Sequence, residues 1–276
     1  MLKQRVITAL VLFVALVVAL VWSPFAFATL MTLAIAIAQA EWLQLAGWKF
    51  SVALATTLSV GALLLGVLLY QPEWIDALGV PTLVAATLAW ILIGAHLLRS
   101  ESQPAPLRPP LSVLLAFLLP LAAWCAVVLL LRSGVVVLLS VFFIVWVADT
   151  AAYFAGRAFG KRKLAPQISP GKTWAGLWGA MIAVILIAVA AQAIAPEAVI
   201  FSSRLIDRAG AVFALALLAA LVALSAIGDL FESLLKRQAG AKDSGHLLPG
   251  HGGFYDRLDA MLALLPPAAL LWRWVQ

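Results

Sequence analysis

The residue types best suited to chemistry are concentrated between Asp229 and Asp259, in a chain that is 65% hydrophobic. Nine of the chain's 30 charged residues fall in this interval, which lies between two strongly apolar runs. A charge at the centre of a bilayer costs roughly 2.5–3.5 kcal/mol on insertion scales. Acids, bases and glycines beside such runs therefore need a functional reason, and we expect chemistry at a membrane surface.

The first group of candidate residues shares one face of a predicted helix. Asp229 and Ser233 offer two oxygens one turn apart, which suits a hard cation such as Mg²⁺. A solvated helix end with intrahelical ion pairs explains this face equally well when it is taken alone. The spacing i, i+3, i+4 and i+7 defines the face, and its members are Asp229, Glu232, Ser233 and Lys236.

The second group is a glycine-rich segment leading into the last apolar run. Its glycines would let the backbone approach a ligand closely, and its amides would form an anion site at a helix N-terminus. His251 suits contact with a phosphate better than zinc binding, because further His or Cys ligands are not nearby. The mixture fits a metal–nucleotide complex, with a flexible polar loop as the alternative. The residues are Lys242, Asp243, Gly250, His251, Gly252, Gly253, Asp256, Arg257 and Asp259.

The third group lies upstream. Asp149 falls inside an apolar run at 135–154, and an acid within a span is a functional candidate. The segment Ser169–Thr173 (SPGKT) contains Gly-Lys-Thr. A P-loop is not expected, because Pro166 stands where that motif needs its first glycine and because no strand is predicted before it. The segment is still basic, so we expect it to bind phosphates or anionic headgroups.

The elements that must position these groups are membrane helices. A mean hydropathy of +1.09 with 11% charged residues excludes an ordinary soluble domain. A transmembrane helix needs about 20 apolar residues, which predicts an all-α, polytopic helical bundle of about nine spans. The first two are short and adjacent, so eight is the alternative. The predicted spans are 6–22, 25–40, 50–70, 80–98, 111–131, 135–154, 174–194, 211–230 and 258–275.

Basic residues indicate which loops face the cytoplasm. Twelve of the 18 Lys and Arg residues lie in the loops after spans 2, 4, 6 and 8, and cytoplasmic loops collect such residues. The net charge of +6 is therefore not a sign of nucleic-acid binding. The orientation of the N-terminus is open. Lys3, Arg5, the apolar run after them and the small residues at 26–28 also resemble a cleavable signal peptide.

The charges also divide the chain into two predicted regions. Residues 1–140 carry ten charges and residues 141–276 carry twenty. The Pro-rich segment 100–110 cannot be helical throughout and is a plausible boundary. We predict an N-terminal transmembrane scaffold at 1–110 and a C-terminal catalytic region at 111–276, with an active site on its cytoplasmic face.

Together these segments resemble the phosphatidate cytidylyltransferase (CDP-diacylglycerol synthase) family of integral membrane enzymes. The family's C-terminal signature runs S-x-x-K-R, four residues, K-D, then a P/G-x-H-G-G turn and D-R-x-D. The chain shows no departure from it, and the segments 149–153 and 169–173 also look like family segments. The signature is present as Ser233-Leu234-Leu235-Lys236-Arg237, Lys242-Asp243, Pro249-Gly250-His251-Gly252-Gly253 and Asp256-Arg257-Leu258-Asp259.

The resemblance implies that CTP and phosphatidic acid give CDP-diacylglycerol and pyrophosphate, without a covalent intermediate. It implies a divalent metal, usually Mg²⁺, with an accompanying K⁺ and a homodimer as further expectations, in a bacterial inner membrane. The implied metal ligands are Asp229, Asp256, Ser233 and Asp259. The implied catalytic residues are Asp229, Asp256, Lys236, Arg237, Lys242, Asp243 and Arg257. The implied substrate-binding residues are Ser169, Lys172, Thr173, Ser233, His251, Gly252, Gly253 and Asp149.

The chemistry agrees with such a set of residues. The nucleophile, a phosphate oxygen of phosphatidate, is already anionic, so positioning and charge stabilisation should dominate over base catalysis. Three alternatives remain open: a transporter or channel that uses Asp149, a structural or lipid-binding membrane protein, and a related polyprenol kinase. The signature disfavours the kinase.

Overall fold

The computed structural model describes residues 2–99, 107–250 and 252–276. Within these ranges the chain forms ten helices and one two-stranded hairpin, which confirms the predicted all-α fold. In chain order the elements are α1 (Leu2–Trp22), α2 (Pro24–Leu45), α3 (Phe50–Tyr70), α4 (Glu73–Arg99), α5 (Pro109–Ser133), α6 (Val135–Phe159), β1 (Lys163–Ala165), β2 (Ser169–Thr173), α7 (Trp174–Ile194), α8 (Phe201–Ala209), α9 (Ala211–Gln238) and α10 (Tyr255–Val275).

Eight of the described helices are long and apolar enough to cross a membrane, by length and composition. They are α2 to α7, α9 and α10, so the chain is an integral membrane protein. Helix α1 contributes a shorter apolar segment, Val6–Trp22, where a ninth span was predicted. Helix α2 continues to Leu45, past the predicted end at residue 40, and so takes Glu41 into its last turns.

A cap separates α1 from α2. The Ser23 hydroxyl accepts a hydrogen bond from the Ala26 amide at 3.0 Å, and Pro24 occupies the first position of the new helix, where its missing N–H does no harm. Residues 26–28, which resemble a cleavage site, lie in the first turns of α2. Phe27 is completely buried there, so cutting at this point would open the core of the bundle.

The hairpin was not predicted. Strands β1 and β2 pair antiparallel, and Thr173 ends β2 by capping α7, since its hydroxyl accepts from the Gly176 amide at 3.1 Å. The expectation that no strand precedes Gly-Lys-Thr was wrong, because β1 does. The rejection of a P-loop stands, since the three residues lie within strand β2 itself and the motif requires a loop between a strand and a helix.

Helices of both predicted regions share one core. The Trp42 ring of α2 stacks on Tyr255 of α10 with centroids 5.3 Å apart and meets Phe231 of α9 edge-on at 5.3 Å. Trp90 of α4 contacts the same Phe231 and donates its Nε1–H to the Leu262 carbonyl at 3.0 Å. The division at residue 110 therefore stays a prediction about function and does not correspond to separate cores.

Close approaches at glycine fix the helices that carry the candidate residues. A Cβ on Gly228 of α9 would fall 2.8 Å from Ala263 Cβ and would collide with the Asp259 carbonyl, so only glycine permits this contact between α9 and α10. On α6, a Cβ on Gly156 would lie 3.0 Å from Thr173 Oγ1. This glycine therefore lets α6 approach the start of α7 closely.

Three of the four basic loops gather at one end of the bundle. The hairpin reaches α9 through Arg237, whose Nε–H donates to the Ile168 carbonyl at 3.4 Å. The loop after α9 reaches the end of α2 through Ser244 and Glu41, whose side-chain oxygens are 3.0 Å apart. Thr8 of α1 donates to the Pro249 carbonyl at 3.0 Å. The start of α1 therefore lies at the same end of the bundle as these basic loops.

Candidate active site

A cavity of about 580 Å³ opens between α6, α7, α9 and the hairpin. Its lining combines polar and charged groups with small or aliphatic side chains. This combination can hold a charged group beside an apolar chain. The polar lining includes Asp149, Tyr153, Arg157, Lys163, Lys172, Thr173, Ser225 and Asp229, and the apolar lining includes Ala148, Ala152, Leu177, Ala180 and Val222.

The cavity brings two of the predicted groups together. Lys172 of β2 lies with its Nζ 2.6 Å from Asp229 Oδ2 on α9, and the same Nζ donates to the Ala226 carbonyl at 3.4 Å. Asp149 of α6 lines the same space. Lys172 and Asp229 are partly exposed. A bound anion could therefore pair with the Lys172 ammonium group in place of Asp229, and the Asp229 carboxylate could then bind a cation.

Three carboxylates converge beside this ion pair. Asp229 and Glu232 of α9 and Asp259 of α10 each place one oxygen within 4.8 Å of the others. Glu232 is 1% exposed and Asp259 is 9% exposed, so water screens their charges poorly. Like charges at this separation repel strongly. An all-oxygen set of this kind is what a hard divalent cation requires.

Glu232 was placed on the helix face by its spacing but was not predicted as a metal ligand. Its Oε2 pairs with Lys236 Nζ at 2.6 Å. Its Oε1 is buried and has no hydrogen-bond partner among the described residues. A buried carboxylate oxygen without a partner is costly, so this open oxygen is consistent with binding of a cation by the three carboxylates.

Lys236 joins the two helices. Its Nζ lies 2.7 Å from Asp256 Oδ1 on α10, in addition to its pair with Glu232 on α9. Both carboxylates are nearly buried, since their side chains are 8% and 2% exposed. Lys236, a predicted catalytic residue, therefore also balances the charges of Glu232 and Asp256 in the folded chain.

Asp256 lies next to the three converging carboxylates but is held by other partners. Its Oδ2 accepts from the Gly253 amide at 2.8 Å and the Ser244 amide at 3.0 Å, and the Ser244 hydroxyl lies 2.9 Å away. Its Oδ1 faces Lys236. The predicted role of Asp256 as a metal ligand stays a prediction, because each of its oxygens already has a partner.

The amides at the start of α10 are largely used by the protein's own carboxylates. Gly253 N–H goes to Asp256, and Tyr255 N–H goes to Glu41 Oε2 at 2.9 Å. The expected helix N-terminus with free amides for an anion is therefore not available at these two positions. Gly252 has φ +81°, and a Cβ there would lie 2.7 Å from Asp256 Oδ2, so the turn wraps tightly around this carboxylate.

The remaining predicted residues differ in their burial. Thr173 is buried as the α7 cap and also lines the cavity. Ser169 starts β2 and is half-buried, as is Ser233 on α9. His251 lies outside the described residues. The exposed members of the predicted set are Arg237 at the end of α9, Lys242 and Asp243 in the following loop, and Arg257 on α10.

The sequence-based prediction missed Glu41 and Ser244. Both are buried, and both contact the segment that carries Asp256. Glu41 is the only acidic residue among residues 1–72, which is a signal that could have identified it. It was assigned to a loop because the predicted span ended at residue 40. Ser244 is one serine among many, and its contacts become visible only in the folded chain.

Comparisons with known proteins show which family the chain belongs to. The model of the cytidylyltransferase family matches residues 3–275. A phosphatidate cytidylyltransferase of Pseudomonas aeruginosa is 39% identical over 278 residues, covering 99% of this chain and 97% of that protein. One from Haemophilus influenzae is 37% identical over 289 residues, covering 96% of both. One from Brucella suis is 48% identical over 139 residues, half of this chain. The chain belongs to the cytidylyltransferase family.

Proposed function

We propose that the chain is a phosphatidate cytidylyltransferase, which transfers CMP from CTP to phosphatidic acid and releases CDP-diacylglycerol and pyrophosphate. The observation that carries the proposal is the cavity of about 580 Å³, which Asp229 and Lys172 line together with small and aliphatic side chains. One substrate of this reaction is a soluble polyanion and the other is a lipid. Two nearly full-length relatives bearing this name support the same activity.

The reaction needs little proton transfer. A phosphate oxygen of phosphatidate forms a bond to the α-phosphorus of CTP, and the bond from that phosphorus to the bridging oxygen of the β-phosphate breaks, so that pyrophosphate leaves with the electron pair. The attacking oxygen is already an anion. The chain's residues therefore have to hold two anions in line and balance the charge that develops on the leaving group.

The three converging carboxylates fit a divalent cation, and Mg²⁺ is the proposed ion. Asp229, Glu232 and Asp259 would hold it. When bound, it would neutralise charge on the phosphates of CTP. Ser233 and Asp256, which were predicted as ligands, lie on the same two helices. Asp256 Oδ1 accepts from Lys236 and its Oδ2 accepts from two backbone amides, so a cation would share these oxygens with the donors. An accompanying K⁺ stays a prediction.

The basic residues would hold the phosphates around this centre. Lys172 lies in the cavity beside Asp229, and Lys236 lies between Glu232 and Asp256. Arg237, Lys242 and Arg257 are the proposed outer contacts. Ser169, Thr173, Asp149, Asp243 and the turn with His251, Gly252 and Gly253 complete the proposed substrate-binding and catalytic set.

The membrane arrangement follows from the two substrates. Phosphatidate stays in the bilayer and CTP stays in the cytoplasm, so the site must lie at the cytoplasmic surface. Twelve Lys and Arg residues in the loops on that side agree with this orientation. We place the protein in a bacterial inner membrane, where the proposed substrates meet. A homodimer stays a prediction, which the mass of the purified protein in detergent would check.

The direct test is incubation of the purified protein with phosphatidate, CTP labelled at the α-phosphorus and Mg²⁺, with and without a chelator. We expect the label in the lipid fraction and stoichiometric pyrophosphate, with both lost when the chelator is present. Asp229→Asn should lower kcat by about 100- to 1,000-fold, as loss of a group that stabilises developing charge does. The matched control is Asp76→Asn, which alters an exposed acid paired with Arg132 outside the cavity. Product formation at the wild-type rate by Asp229→Asn would contradict the assignment.

A further inference from the structure

Glu41 is a buried acid that the proposed reaction does not use. It lies in the last turns of α2 and is 0% exposed. Burying a carboxyl group is unfavourable unless hydrogen bonds replace its water. The contacts of the Glu41 side chain must therefore compensate for the cost of burying it.

Its contacts are with the segment that carries Asp256. Glu41 Oε2 accepts from the Tyr255 amide at 2.9 Å, at the first residue of α10, and lies 3.0 Å from the Ser244 hydroxyl. Ser244 and Tyr255 stand at the two ends of the glycine turn. One carboxyl group from α2 therefore holds both ends of a turn that lies more than 200 residues away in sequence.

Ser244 continues this connection to the site. Its hydroxyl oxygen lies 2.9 Å from Asp256 Oδ2 and 3.0 Å from Glu41 Oε2, so its one proton can donate to either acid. The Ser244 amide also donates to Asp256 Oδ2. Asp256 in turn pairs with Lys236, and Lys236 pairs with Glu232 of the carboxylate group. A continuous series of polar contacts thus runs from α2 to α9.

Two glycines show how closely the turn fits around Glu41. A Cβ on Gly245 or on Gly253 would lie 2.7 Å from Glu41 Cδ, closer than any side chain tolerates. The turn therefore closes directly onto this carboxyl group. In the folded chain the α-carbon of Gly253 faces Glu41 and its amide donates to Asp256.

We propose that Glu41 is a positioning residue for cytidylyl transfer: through Ser244 and the Tyr255 amide it fixes the glycine turn, and thereby places Asp256 and Lys236 against α9. The proposal rests on the proposed function. It assigns a role in the reaction to a residue of the predicted N-terminal scaffold.

Kinetics of the full-length protein test this role. Glu41→Ala should lower kcat by about 100-fold, the effect expected when a supporting group misplaces reacting atoms, while the KM for phosphatidate stays within threefold. Glu41→Gln keeps an oxygen for the Tyr255 amide and should restore most of the rate. Ser244→Ala should resemble Glu41→Ala, and the double variant should be no worse than the poorer single one, because both remove the same connection. The control is Gln39→Ala, another buried polar residue of α2.

Hydrogen exchange provides a readout that does not depend on activity. Peptides covering residues 244–256 should exchange faster in Glu41→Ala than in the wild type or in Gln39→Ala, because the Tyr255 amide loses its acceptor. Unchanged exchange, equal kinetic loss in Glu41→Gln and Glu41→Ala, or multiplicative effects in the double variant would each overturn the proposal. If the wild type makes no CDP-lipid, the proposed function fails, while the exchange experiment still decides whether Glu41 holds the turn.

Discussion

At the scale of single residues, the site depends on which carboxylate oxygens already have a hydrogen-bond or ion-pair partner. Asp256 has a partner for both oxygens, and Lys236 supplies one of them. Glu232 has Lys236 on one oxygen and no described partner on the other. The structure therefore favours Asp229, Glu232 and Asp259 as the group of acids that would bind a cation. Spacing alone had favoured Asp229 with Ser233.

This difference leads to a prediction for Glu232→Gln. The substitution replaces one of the three carboxylates with a neutral amide of nearly the same shape. We expect the Mg²⁺ concentration that gives half-maximal activity to rise by about 10- to 100-fold, the range found when groups that shape a metal site are altered. The measurement is a Mg²⁺ titration of product formation at saturating CTP.

Two controls make the Glu232 titration decisive. Asp76→Asn should give the wild-type titration curve, since its partner is Arg132 and it lies outside the acid group. A thermal melt in detergent should show that Glu232→Gln is folded at the assay temperature. A Glu232→Gln protein that is folded and has an unchanged Mg²⁺ requirement would rule out this residue as a ligand.

At the scale of elements, the acid group exists because α9 and α10 touch at Gly228. The glycine lies next to Asp229 in sequence and against Asp259 in space. A side chain at this position would separate the helices and move the carboxylates apart. In a membrane, where apolar side chains gain little by leaving lipid, such small-residue contacts contribute much of helix association.

Gly228→Ala tests this contact. The added methyl group would approach Ala263 Cβ to 2.8 Å and would meet the Asp259 backbone, so the helices must shift. We expect a lower melting temperature in detergent and a raised Mg²⁺ requirement in the same variant. Gly66→Ala on α3 is the matched control, because nothing lies within 4 Å of a Cβ there. Wild-type behaviour of Gly228→Ala would show that the acid group does not depend on this packing.

At the scale of the whole molecule, contacts between distant segments place the basic loops together. At one end of the bundle, Arg237 of α9 contacts Ile168 in the hairpin turn. Ser244 after α9 contacts Glu41 at the end of α2. Thr8 near the start of α1 reaches Pro249 at that end as well. The site is thus assembled from elements spread over the length of the chain.

The proposed orientation can be measured by cysteine labelling in intact cells. Leu247→Cys in the exposed loop after α9 should resist a membrane-impermeant maleimide added outside, because we expect this loop in the cytoplasm. Gln71→Cys, exposed between α3 and α4, should be labelled. The native Cys125 is buried and gives little background. Rapid external labelling of Leu247→Cys, with none at Gln71→Cys, would reverse the orientation.

The sequence alone determined the fold class of the protein and its family. Hydropathy and length predict membrane helices because a bilayer accepts few other backbones, and the helix face at Asp229 follows from the helical repeat. The signature from Ser233 to Asp259 identified the family that the comparisons confirmed.

Only the tertiary structure decided which of these residues meet. Spacing cannot show that Asp229 and Glu232 meet Asp259, since that depends on how α10 packs at Gly228. It cannot show that Glu41 reaches Ser244 either, since the two are separated by 203 positions. The amides expected to bind an anion are used by Asp256 and Glu41. Packing between helices that are distant in sequence determines these hydrogen-bond partners, and no local sequence pattern predicts that packing.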